Sequence, residues 1–245
     1  MRLHVTGATG YLGSELVRLR LDATIERVEI RDADAVRELL RRDRPEVVIH
    51  TAYRQDGPEA REINVGGAEN VARAAAGIGA RLVHVSSDVV FDGRKRAPYV
   101  EEDELSPVNE YGHTKAEGER RVSAAHPGAL IVRTSLIVGG AQPSKHELAA
   151  HRPGTWFTNE LRSPVQVSDL AQALLELAEL DVAGPLHVAG ADGLSRAELA
   201  ALIAGRTVET AEAPSTRPLD CRLDSSRAQA LLRTRLRGAR EVFAS

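Results

Sequence analysis

Along the first half of the chain, short apolar or β-branched runs alternate with stretches whose apolar residues recur roughly every three or four positions. The short runs predict strands at Arg2–Thr6, Thr24–Ile30, Val47–Thr51, Arg81–Ser86 and Leu130–Arg133. The helical spacing predicts helices at Tyr11–Arg20, Ala33–Arg42, Arg61–Gly77 and Tyr111–Ala125, the second opening on Asp32 as N-cap. Strands and helices in alternation make βαβ units, and right-handed crossovers between them make an α/β fold with a doubly wound parallel sheet.

After Gly139 the pattern loosens. Gly139-Gly140, Pro143 and Pro153-Gly154 interrupt a short helical piece, and Thr155–Asn159 reads as an isolated strand. Val167–Leu180 is a helix starting at Ser168-Asp169, Pro185–Val188 a returning strand, and Ser195–Ala204 a helix whose Glu198 completes a capping box. Short helices follow at Asp224–Arg235 and Gly238–Phe243. The expected organisation is a core over residues 1–138 and a small C-terminal lobe over 139–245, of which 165–190 returns to the core.

Composition narrows the class. A chain of 245 residues with 42% hydrophobic content suits one core with a small lobe. A net charge of −3 gives no basic field for nucleic acid. The single cysteine, Cys221, excludes an intramolecular disulfide and has no ligand-spaced neighbours for zinc, so no metal site is expected. No apolar run approaches the ~20 residues of a membrane span, and the first strand follows Met1 at once, so a cytoplasmic location is expected. Aromatic residues make up only 3%, and Trp156 reads as core. A homodimer is left open.

Chemistry enters at Thr6-Gly7-Ala8-Thr9-Gly10-Tyr11-Leu12-Gly13, directly after the first strand and opening the first helix. In that context Gly7 permits a tight turn, Gly10 lets the backbone approach a pyrophosphate, and Gly13 allows close helix–strand packing. This is a Rossmann-type dinucleotide loop. The following segment carries both signs of charge: Arg27 or Arg31 could hold a 2′-phosphate, which slightly favours NADPH over NADH, while Glu29 or Asp32 could serve ribose or adenine.

Tyr111 and Lys115 stand four residues apart at the start of a helix, on one face. A phenol near pKa 10 becomes a useful proton donor or acceptor beside an ammonium group. Ser87, at the carboxyl edge of the fourth predicted strand, lies where ligands bind in open α/β sheets and can hydrogen-bond a substrate carbonyl. The implied reaction is carbonyl reduction, with Tyr111 protonating the developing alkoxide and Ser87 stabilising it.

The Gly-x-x-Gly-x-x-Gly spacing resembles the extended branch of the short-chain dehydrogenase/reductases. The block Ser86-Ser87-Asp88-Val89-Val90-Phe91-Asp92-Gly93, Pro98-Tyr99, Glu101, Pro107, Asn109 and Tyr111-Gly112-His113-Thr114-Lys115 resembles the dTDP-4-dehydrorhamnose reductase family. Arg133-Thr134-Ser135, Ser163-Pro164, Asp169-Leu170-Ala171, Arg217-Pro218 and Arg222-Leu223 extend the likeness over nearly the whole chain. The resemblance implies an NAD(P)H-dependent 4-keto reductase of a nucleotide-activated sugar. It also implies that Gly7, Thr9, Gly10, Tyr11, Leu12, Gly13, Glu29, Ile30, Arg31, Thr51, Ala52, Tyr53 and Lys115 hold the cofactor, and that Asp88, Val89, Leu136, Arg162 and Arg217 face the substrate.

Three positions depart from the family pattern. Val89 replaces a usual Tyr, Leu136 a usual Trp, and Arg162 a usual Gly, all where the sugar would be read. Arg162 could meet a pyrophosphate, a carboxylate or neighbouring acids, and Arg217 a nucleotide phosphate or Asp220 or Asp224. Two other functions compete. One is a non-catalytic NAD(P)-binding regulatory subunit, which need not keep a proton donor; the other is epimerisation or dehydration, for which Asp88 supplies the one acid beside Ser87. His50 and His84 read as satisfied core imidazoles, His113 as outward-facing, and Asn64 as a tie between its helix and the active-site strand.

Overall fold

The computed structural model describes residues 1–244. Its central sheet is parallel, in the order β1 (Leu3–Thr6), β2 (Val47–His50), β3 (Arg81–Ser87), β4 (Leu130–Thr134) and β9 (Gly184–His187). Strands covered on both faces need apolar residues at odd and even positions alike, which is why β1, β2 and β4 are buried throughout. On one face, Leu3, Val5, Ile49 and Val132 pack against Leu12 and Leu16 of α1 (Tyr11–Leu19) and Leu170, Leu174 and Leu177 of α6 (Val167–Ala178). On the other, Val48, Leu82 and Ile131 meet α2 (Ala33–Asp43), α3 (Ala68–Gly77) and α4 (Glu110–Ala125) through Val36, Leu40, Val71, Ala75 and Val122.

The expected strand Thr24–Ile30 does not form. Thr24 alone bridges to His4, its amide donating to Leu3 O at 2.8 Å and its carbonyl accepting from Val5 N at 3.0 Å. Beyond it, Ile25 is 48% exposed and Glu26, Arg27 and Glu29 face solvent, so nothing apolar would be gained by extending the ladder. The bridge nevertheless marks the reversal. The chain leaves β1 by α1 on one face and returns by α2 on the other, placing the topological switch point between the carboxyl ends of β1 and β2.

The predicted helix at Arg61–Gly77 also divides. Glu62–Gly67 is a π-helical turn, followed by α3. The extra residue in that turn is accompanied by an inward Asn64, whose side chain accepts from Arg54 N (2.8 Å) and donates to Arg54 O (2.7 Å) and Thr114 Oγ1 (3.0 Å). Asn64 therefore joins the loop after β2 to α4, rather than its own helix to β3. His84 is buried with neither ring nitrogen hydrogen-bonded, and His50 bonds only Thr6 through Nδ1, so these imidazoles are core but not fully satisfied.

The C-terminal half builds three small sheets: β5 (Ile137–Val138) with β8 (Val165–Gln166), β6 (Thr155–Phe157) with β11 (Glu209–Ala211), and β7 (Leu161–Arg162) with β10 (Leu194–Ser195). The segment read as an isolated strand thus has a partner more than fifty residues away. Capping boxes open α5 (Lys145–Ala150), through Ser144 and Glu147, and α7 (Arg196–Ala204), through Ser195 and Glu198. α8 (Ser226–Leu231) stops short of its predicted end because Glu176 accepts from Arg233 N and Thr234 N and draws the chain out of the helix; α9 (Ala239–Val242) is likewise trimmed. No helix among the described residues is long and apolar enough to cross a membrane.

Asp32 caps α2 through hydrogen bonds from Asp34 N (3.1 Å) and Ala35 N (3.0 Å). Asp32→Ala is expected to lower stability by about 1 kcal/mol, measured by denaturant unfolding with unchanged slope.

Candidate active site

The glycine loop follows β1 at the switch point. Gly7 has φ +73°, and a Cβ there would lie 2.6 Å from Ala52 N, so glycine is required both by conformation and by the approach of the β2 end. Gly10 precedes α1 and offers no side-chain cap, leaving the first-turn amides of the helix beside a cavity that Gly10, Tyr11, Leu12 and Gly13 line. Tyr11 Oη accepts from Gly140 N at 2.8 Å, joining this loop to the segment after β5.

Opposite, α4 begins at Asn109, whose carboxamide oxygen accepts from Gly112 N at 2.7 Å. Gly112 lies so close beneath Val89 O that a Cβ would approach to 2.3 Å. This pressed helix start sets Tyr111 against the residues following β3. Ser87 donates to Asp88 Oδ1 at 3.2 Å and lines the same cavity as Tyr111. One turn on, Lys115 is 3% exposed and donates to Val85 O at 2.7 Å. Burial holds the Tyr111 phenol well above its usual value, reinforced by Tyr53 and Asp88 and opposed by Ser87. Burial also lowers Lys115 to about 8, against the pull of Glu119.

The cavity occupies about 600 Å³. Thr51 and Tyr53 form its wall near the glycine loop, the Tyr53 ring lying 5.9 Å from that of Tyr111. Val89 and Leu136 line its middle, and Glu160, Arg162, Arg196 and Arg217 its far end. Gly7, Thr9, Glu29, Ile30, Arg31 and Ala52 do not line it. Gly7 and Ala52 support the loop from behind, Thr9 is exposed, and Ile30 is buried against the position of Gly67. Arg31 is shared among Glu29 (2.8 Å), Glu59 (2.9 Å) and Glu62 (3.4 Å), so a 2′-phosphate there would have to displace carboxylates.

Of the far-end arginines, Arg162 meets a neighbouring acid and main-chain carbonyls, and Arg217 pairs with an acid other than Asp220 or Asp224. Arg162 is 4% exposed and donates to the carbonyls of Leu161 (2.7 Å), Leu219 (2.5 Å) and Pro218 (2.8 Å), with Nε 3.7 Å from Asp88. Its hydrogen bonds go to main chain and its charge faces Asp88. Arg217 pairs with Glu160 and stacks over Phe157, while Asp220 pairs with Arg222. Asp88 is buried, bonded to Ser135 Oγ at 2.5 Å, and burial raises its pKa in spite of Arg162. Sequence reasoning missed Glu160 and Arg196; the only local signal was the capping box, which makes Arg196 the first residue of α7. Trp156, read as core, is half-buried and carries the Arg196 guanidinium over its ring at 5.5 Å.

A dinucleotide-type loop, a Ser–Tyr–Lys cluster and a wide cavity meet here in one crevice. The family model for the RmlD substrate binding domain matches residues 1–244. The chain belongs to the RmlD substrate binding domain family. Two relatives sit on different sides of that family's functional range. The dTDP-4-dehydrorhamnose reductase of Mycobacterium tuberculosis is 37% identical over 220 residues, covering 80% of this chain and 72% of the relative. The methionine adenosyltransferase 2 subunit beta of Rattus norvegicus is 33% identical over 238 residues, covering 83% and 71%. Among solved structures, the Bacillus anthracis dTDP-4-dehydrorhamnose reductase in complex with NADP superposes with a TM-score of 0.87 at 26% identity, over 99% of this chain and 97% of that one. A hypothetical dTDP-4-dehydrorhamnose reductase from Sulfolobus tokodaii gives 0.84 at 32% identity, over 96% of each. Within the RmlD family this chain keeps the α/β fold with the parallel central sheet.

Proposed function

We propose that the protein is an NAD(P)H-dependent oxidoreductase that reduces the 4-keto group of a nucleotide-activated sugar. The observation that carries this reading is that Ser87 and Tyr111 face one cavity continuous with the glycine loop, with buried Lys115 one helical turn from the phenol. The loop suits a dinucleotide: the uncapped first-turn amides of α1 offer donors to a pyrophosphate, and Gly10 presents no side chain to obstruct it. Gly10 to Gly13, Thr51, Tyr53 and Lys115 would hold the cofactor, with Gly7 and Ala52 shaping the loop. When bound, its reduced nicotinamide supplies the hydride.

The residues do the rest. Tyr111, kept protonated by burial, holds the proton that the substrate oxygen acquires. Ser87 hydrogen-bonds the same oxygen as charge develops on it. Lys115 places a positive charge one turn behind the phenol, stabilising the phenolate left after transfer. Asp88, held by Ser135 and Arg162, orients Ser87 through their mutual contact. Val89 and Leu136 form apolar walls for the sugar, and residues 139–245 supply most of the substrate side.

Because the Lys115 ammonium must be charged, kcat/KM for reduction should be level below about pH 8 and fall above it as the ammonium is lost; a flat profile to pH 10 would contradict this role. The function itself is tested by following loss of NADPH or NADH absorbance with thymidine- and uridine-diphosphate 4-keto sugars. The 33% identity to a methionine adenosyltransferase subunit supports a second reading, a non-catalytic NAD(P)-binding subunit. Tight cofactor binding without oxidation by any keto sugar would select it.

A further inference from the structure

We infer that Glu119 is a positioning residue for the reduction: from one turn along α4 it keeps the buried Lys115 ammonium charged, while Arg133 holds it back and leaves that ammonium free for the cavity. The use made of the charge rests on the reductase reading above; the control of the charge rests on the following geometry.

Lys115 is buried and lines the cavity, and among the described residues its ammonium has one hydrogen bond, to the neutral Val85 O at 2.7 Å. A desolvated ammonium with a carbonyl for its partner is costly, and a nearby carboxylate offsets part of that cost. The titratable groups that feel Lys115 from the sheet are His50 on β2 and His84 on β3. Both are held neutral, by burial first and by Lys115 second, His50 at about 3. On α4 itself stand Tyr111, a phenol kept protonated by burial, and Glu119. Glu119 is the carboxylate that raises Lys115 against the burial that brings it down to about 8.

A spacing of four puts Lys115 and Glu119 on one face of the helix, and since both are buried their attraction is little screened. They do not close into an ion pair because buried Arg133 on β4 takes both oxygens of Glu119. Its Nε lies 3.2 Å from Oε1 and 3.1 Å from Oε2, and its Nη2 2.9 Å from Oε2. Arg133 is fixed in turn by Glu101 O at 3.2 Å and by the Phe91 ring at 5.3 Å. The Glu101 carboxylate turns elsewhere, to His187 N (2.9 Å) and Arg227 (3.6 Å). Captured directly by Glu119, Lys115 would be drawn toward the next turn of α4 and away from Tyr111. Held off, the carboxylate acts on the ammonium's charge without taking its donors.

The two partners of this ion pair therefore act on Lys115 with opposite sign, and that is measurable without substrate. The chain has three lysines, Lys95, Lys115 and Lys145, so isotope-labelled lysine gives three side-chain NMR resonances, and Lys95→Arg and Lys145→Arg identify that of Lys115. Titrated in the full chain, Glu119→Gln should raise the acid dissociation constant of Lys115 about tenfold, moving its midpoint to lower pH. Arg133→Met should move it to higher pH, as Glu119 is released to the ammonium. The double variant Glu119→Gln/Arg133→Met removes both charges together, avoids a lone buried ion, and should still titrate below wild type. A midpoint unmoved in Glu119→Gln and in the double variant, or moved the same way by Glu119→Gln and Arg133→Met, overturns the assignment. In keto-sugar reduction the alkaline fall of kcat/KM should follow the same midpoints. A wild type that reduces no keto sugar overturns the reductase reading, and the resonance still decides whether Glu119 governs the charge of Lys115.

Discussion

Tyr111→Phe should lower the turnover number for keto-sugar reduction by about 10²–10⁴-fold while NADPH binds as in wild type. The substitution removes one oxygen and keeps the ring, so the packing of Tyr111 against Tyr53 survives. The effect should fall on kcat more than on KM, because the hydroxyl is needed most when the substrate oxygen gains charge. Stopped-flow loss of NADPH absorbance, beside a fluorescence titration of NADPH, separates the two. Unchanged turnover would remove Tyr111 from the mechanism and take Ser87 with it.

Gly13→Val should abolish cofactor binding. A Cβ at Gly13 would lie 2.1 Å from Gly7 O and 2.9 Å from Ala8 Cα, atoms of the loop's own backbone that have no rotamer to yield. The loop must open, and the amides of α1 lose their relation to the turn. At Gly10 the nearest atom is Gly7 O at 3.2 Å, a clash the loop can relieve by small movement, so Gly10→Ala should weaken NADPH far less. Titration of both variants distinguishes a steric requirement at Gly13 from a general intolerance of the loop.

Features fixed by local geometry could be read from the sequence. The glycine spacing after a strand, the Tyr111–Lys115 step, the Asp32 cap and the Ser195–Glu198 capping box each depend on residues a few positions apart. Thr24–Ile30 misled because strand propensity cannot say whether a neighbour or a covering helix exists on the outer side. Arg162 was only partly legible, for a different reason. Its partners are carbonyls at Pro218 and Leu219, atoms every residue possesses, so no side-chain pattern announces them. Arg196 was passed over because its contact is with the distant Trp156, which only the assembled cavity reveals. The Arg133–Glu119 pair, buried at 2.9 Å beneath the site, joins β4 to α4 across a gap that periodicity alone does not measure.

The Arg162 clamp has a consequence for how this pocket can change over generations. It grips the 218–219 segment by peptide oxygens and is indifferent to the side chains mounted there. Ser215 and Thr216, just before the grip, can therefore be exchanged without releasing the loop from the wall of the cavity, whereas Arg217 is tied to buried Glu160. An attachment blind to sequence beside the wall of the cavity makes this stretch a natural place for new specificities to be sampled, by selection or by a mutagenesis library, at little risk to the fold.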